Sequence, residues 1–97
     1  MIRHIVLLEF TDEADETSVE ALIADLRALP DAIDEIETYD VARDAGLTDR
    51  NAHLVVIATF ADQPAWELYR DHPEHLRIIA EQIRPVLARR SAVQTVH

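Results

Sequence analysis

The chain has neither cysteine nor lysine among its 97 residues, a single glycine, and only 5% aromatic residues. Without cysteine there is no disulfide, no thiolate nucleophile and no Cys-based zinc or iron–sulfur site. Without lysine there is no Schiff-base chemistry. Positive charge is scarce, with nine Arg against 19 Asp and Glu and a formal net charge of −10. A surface of that sign repels phosphates, which argues against nucleic acid or an anionic membrane as partner. No apolar run approaches the roughly 20 residues of a membrane-spanning helix. No basic stretch leads into an apolar one as in a secretory signal, so a cytoplasmic location is the expectation.

What remains is a globular composition, 48% hydrophobic and 29% charged. It suits one domain over 1–97, small enough for oligomerisation to add usefully to its stability. Ile2 to Phe10 is apolar on both alternating faces, with His4, Val6, Leu8 and Phe10 on one and Ile5 and Leu7 on the other. A strand covered on both sides fits this pattern. Thr17-x-x-Glu20 reads as a capping box opening a helix, with Val19, Leu22, Ile23, Leu26 and Leu29 at helical spacing until Pro30.

Ile33 to Arg43 reads as an acidic edge strand, and a turn at Gly46 leads to a second two-sided strand, His53 to Phe60. Asp62 and Pro64 start another helix. After His72-Pro73 a third helical stretch carries a stripe of Leu76, Ile79 and Ile83, kinked at its end by Pro85, and Ser91 to Val96 closes the chain as a short strand. This order, βαββααβ, is that of an α+β, ferredoxin-like four-stranded antiparallel sheet in the order 4-1-3-2. Helices roof one face only. Ile5, Leu7, Leu54, Val56 and Phe60 are expected on the other, where each exposed large side chain forfeits about 1.5–3 kcal/mol. A second copy packed face to face, a homodimer, would cover them.

Acid–base capacity is concentrated in Tyr69-Arg70-Asp71-His72-Pro73-Glu74-His75. Pro73 reads as the first residue of a helix and His75 as the third, over the positive end of its dipole, which favours a neutral imidazole. The plain alternative is a His72 cap, a core Tyr69 and a surface His75. From strand direction, His53 is the expected neighbour of His75, and His4 is expected toward the far end of the sheet. His53, His72 and His75 could also supply three imidazoles to a metal, although Pro73 turns His72 away from the helix face. No metal and no cofactor is expected. Ser18 and Ser91 have no evident His–Asp partners.

Met1 to Phe10, Leu29-Pro30, His53 to Phe60 and Tyr69-x-x-His72-Pro73-x-His75 together resemble the stress-responsive dimeric α/β barrel family. The resemblance spans nearly the whole chain. It implies a homodimer whose subunits each hold a pocket between sheet and helices, and a small organic ligand is the expected occupant. In the branch resembling plant olivetolic acid cyclase it implies a cofactor-independent intramolecular aldol condensation. That branch's pattern falls on His4, His53, Tyr69 and His75, with Tyr69 and His75 as the acid–base pair. Asp31 and Asp40 stand where the family often has glycine, so those segments and the pocket mouth are expected to differ.

Overall fold

The computed structural model describes residues 1–97. Its order is β1 (Ile2–Phe10), α1 (Glu16–Ala32), β2 (Thr38–Arg43), β3 (Leu54–Phe60), α2 (Gln63–Asp71), α3 (Pro73–Ile78) and β4 (Leu87–Val96). A π turn, Ile79–Ile83, and a 3₁₀ turn, Arg84–Val86, join α3 to β4. The strands form one antiparallel sheet ordered β2-β3-β1-β4, the expected ferredoxin-like arrangement.

Helix α1 starts earlier than its sequence suggests. Asp15, not Thr17, is the cap, and its carboxylate accepts the Ser18 N–H at 2.8 Å. Asp15→Ala should therefore cost about 1 kcal/mol, seen as a lower urea midpoint at unchanged m-value. Pro30 does not end the helix, which runs on to Ala32. A proline this close to the end removes only one backbone bond, and buried Leu29 and Ile33 hold the last turn against the sheet. At the other boundary Asp62 caps α2 through the Ala65 N–H. Gly46, at φ +74°, turns the chain between β2 and β3.

Register decides which side chains meet the helices. Val6 pairs with Val56, Leu8 with Leu54, and His4 with Ala58. Leu54, Val56 and Phe60 therefore lie under the helices with Val6 and Leu8 in one buried cluster, and not on the open face as the sequence reading placed them. Both faces of β3 are apolar, so alternation cannot say which is roofed. The open face instead carries Ile5, Leu7, Val55, Ile57 and Val93, with Ile5 between Ile57 and Val93. Leu7 is 42% and Val93 51% exposed. The buried residue of α3 is Ile78, while Leu76 is half exposed at the roof edge. Strand β4 is longer than expected, ten residues paired to β1 from Ile2–Val96 to Phe10–Leu87 with a bulge near Glu9.

Candidate active site

The sheet register sets a polar row across the middle of the helix-covered face. Tyr39 pairs with Ala58, Ala58 with His4, and His4 with Gln94, so one side chain from each strand lies in line. Ala58 is the small member, and the phenol of Tyr69 from α2 comes down among its neighbours. Tyr69 is 3% and His4 4% exposed. The Tyr69 ring centroid lies 5.9 Å from that of His4, 5.1 Å from Phe60 and 6.0 Å from Tyr39.

His75 follows from the local chain. Asp71 ends α2, and His72 caps α3 by accepting the Glu74 N–H on Nδ1 at 3.1 Å, with Pro73 in the first turn. This sharp corner folds His75 back onto Tyr69, their centroids 4.2 Å apart. These groups line a cavity of about 690 Å³ between sheet and helices, a size that suits a small organic molecule. Its other walls are mostly apolar, from Val6, Leu8, Val56, Ile79 and Ile83. The π turn carries Ile79 and Ile83; such turns often sit at functional sites.

The hydrogen bonds assign the protons. His75 Nδ1–H donates to the Arg70 carbonyl at 3.0 Å, which leaves Nε2 of the neutral ring as a free acceptor. Gln94 Nε2 donates to His4 Nδ1 at 2.8 Å, placing the proton of that ring on Nε2. Burial, and then the positive charge of Arg90, lowers the His4 pKa to about 4. Burial also lowers His75, against an opposing pull from the Arg70 carbonyl. Both imidazoles are therefore neutral at pH 7. Tyr39 and Tyr69 share a hydroxyl–hydroxyl bond of 2.9 Å, and burial raises both phenols above their ordinary value. Of two hydroxyls so paired, one keeps its hydrogen free for a third group.

Of the four residues singled out from sequence, three meet here. His4, expected to be remote, is in the floor, and His53, expected beside His75, is not at the cavity. His53 precedes β3, is stacked on Phe10 at 5.8 Å, and accepts the Phe10 N–H on Nδ1 at 2.8 Å. The reason is directional: α2 starts where β3 ends, against the first residues of β1, and is too short to return to the start of β3. Nor do Tyr69 and His75 form a hydrogen-bonded pair; their rings pack at a tilt of 31°, and the Tyr69 hydroxyl goes to Tyr39. No group of three His, Asp or Glu side chains is close enough to hold a metal ion. Sequence reading missed Tyr39, Trp66, Arg90 and Gln94 as lining residues. Arg90 and Gln94 share a strand face with Ala92, a period-two signal that means nothing until β4 is registered against β1.

Comparison with known proteins agrees with this architecture. The model of the stress responsive A/B barrel domain matches residues 2–96. A stress-response A/B barrel domain-containing protein of Arabidopsis thaliana is 31% identical over 88 residues, which are 89% of this chain and 33% of that protein. The chain thus spans about a third of that relative's length. The crystal structure of a dimeric ferredoxin-like protein from Thermobifida fusca is similar at a TM-score of 0.91 and 38% identity, covering 99% of this chain and 90% of its own. The hydroxynitrile lyase of Passiflora edulis shares the fold, with a TM-score of 0.86 and 17% identity over 99% of this chain and 92% of its own. No helix is long and apolar enough to cross a membrane. With its match running from the first strand to the last, the chain belongs to the stress-responsive A/B barrel domain family.

Proposed function

We propose that the protein is a homodimeric A/B barrel that binds a small organic molecule in the cavity walled by His4, Tyr39, Tyr69 and His75. The observation that carries this reading is the combination in that cavity of apolar walls, two neutral imidazoles and a phenol pair with one hydroxyl hydrogen to spare. The apolar open face of the sheet supports the dimer, as does the dimeric relative from Thermobifida fusca. A thermal-shift screen with phenolic, fatty acyl and polyketide-like compounds tests binding. A true ligand at 100 times its Kd should stabilise the fold by about 2.7 kcal/mol. Loss of that shift in Tyr69→Phe or His75→Ala would assign it to this cavity, and no shift with any of the three classes would count against the reading.

One feature favours a second reading, a cofactor-independent cyclase or lyase. His75 Nε2 is an unprotonated acceptor beside a phenol. In such a reaction Nε2 takes a proton from carbon next to a carbonyl, and the electron pair moves onto the carbonyl oxygen, held by a Tyr39 or Tyr69 hydroxyl. Attack of the enolate carbon on a second carbonyl of the same molecule closes a ring, and the imidazolium returns its proton to the new alkoxide. The hydroxynitrile lyase is an enzyme built on this fold. Turnover of a linear polyketide thioester should fall sharply in both Tyr69→Phe and His75→Ala while their melting curves stay cooperative. Unchanged turnover in both variants eliminates this mechanism.

A further inference from the structure

The charges around the cavity run opposite to those of the chain. Three arginines reach its wall, Arg70, Arg84 and Arg90, but only one carboxylate does, that of Asp71. Asp71 is already engaged, bound by both Arg70 Nε and Arg70 Nη2 at 2.9 Å. Arg84 and Arg90 have no carboxylate partner within the chain, unlike Arg43, Arg70, Arg77 and Arg89. In a chain where carboxylates outnumber arginines about two to one, unpaired guanidiniums at the one large apolar cavity make a local positive field within a negative surface.

Placement narrows what could use that field. Arg90 pairs in register with Leu8, so it lies on the helix side of β4, at the end of the row that continues through Leu8 and Leu54. It is four residues along the strand from Gln94, and its charge acts on both His4 and His75. Arg84, in the turn leading into β4, lines the same cavity. Apart from His75 Nε2, which accepts, the polar groups left without a partner at the wall include three donors: the two guanidiniums and the buried Trp66 Nε1–H. A guanidinium fork fits the two oxygens of a planar carboxylate. Beside it, Leu8, Ile79, Ile83 and Leu87 supply an apolar wall.

Building on the proposed binding cavity, we infer that its ligand is a small organic anion, an apolar body ending in a carboxylate, with the carboxylate on Arg90 and Arg84 and the body lying toward Tyr69 and His75. The acidic exterior then acts as a filter. Anions are repelled by most of the surface and meet two unpaired guanidiniums beside an apolar wall at the cavity. The same arrangement orients a bound molecule, because the end anchored at Arg90 sets which carbon faces the imidazoles.

The test compares octanoate with octanol, equal in chain length and different in charge, by titration against the fluorescence of Trp66, the only tryptophan and part of the cavity wall. Octanoate should bind about tenfold more tightly than octanol at neutral pH and low salt, as a charge-assisted hydrogen bond would provide. Arg90→Gln should remove most of that preference, Arg90→Lys should retain part of it, and the exposed position of the side chain leaves melting unchanged in both. Equal affinities for the two probes overturn the anion inference and leave the binding cavity standing. A preference that survives the double substitution Arg84→Gln and Arg90→Gln also overturns it. If neither probe perturbs Trp66 in the folded protein, the inference of an apolar body ending in a carboxylate is overturned, and the binding cavity is then decided by the thermal-shift screen with the other compound classes.

Discussion

Acidification from pH 7 to about 4 should destabilise the protein by roughly 3 kcal/mol through His4 alone. His4 lies in the floor of the cavity, 4% exposed, with a folded-state pKa of about 4 against 6.5 for a free imidazole. The unfolded chain therefore binds a proton at a higher pH than the folded one. Above pH 6.5 both states are neutral at this ring and the term is absent. As pH falls from 6.5 towards 4 only the unfolded state gains a proton, so stability is lost across that window and the loss levels off below it. His75 acts in the same direction, since its folded-state pKa is also lowered by burial.

Carboxylates titrate in the lower part of the same range, but the carboxylates of the ion pairs are exposed and each pair contributes little. Their share is removed by comparing the protein with His4→Gln. Urea midpoints of the two, taken at several pH values from 7 to 4, should diverge with the native protein losing more. Parallel curves would mean that the His4 ring is as free to take a proton in the fold as outside it.

Leu7→Glu should convert the protein from a dimer to a monomer. Leu7 lies on the open face of the sheet in the central strand, beside Val55 of β3 and Ser91 of β4 and one row from Ile5, Ile57 and Val93. In a two-fold interface the substitution enters twice, and each carboxylate would have to be buried among apolar side chains without a partner, which costs several kcal/mol. Within a single chain the same side chain is 42% exposed and its carboxylate remains in water. The subunit fold should therefore survive. Light scattering should give about 22 kDa for the native protein, twice the 11.0 kDa chain, and about 11 kDa for the variant. A native protein that already runs as a monomer would remove the dimer from the proposed function.

Much of the architecture is legible in the residues. Alternation in Ile2–Phe10 and Leu54–Phe60, helical spacing from Val19 to Leu29, and the Asp62 and His72-Pro73 starts all speak through local rules of period and capping. The site was legible only in part, because its parts come from four strands and two helices. Tyr69 and His75 lie close in sequence, and a single sharp corner brings their rings together. His4 and Gln94 are 90 residues apart, and no local rule pairs them.

The neutral state of His75 comes from its burial in the closed fold, whereas composition and pattern were enough for the ferredoxin-like order, the apolar sheet faces and the absence of thiol and lysine chemistry. Those properties depend on individual residues and their near neighbours. Which face of β3 the helices roof, and whether His4 or His53 joins Tyr69, was settled only by the sheet register and the direction in which α2 leaves it. A one-residue shift in pairing exchanges the two faces of a strand, and with apolar residues on both faces of β3 only the closed packing of the whole molecule selects between them.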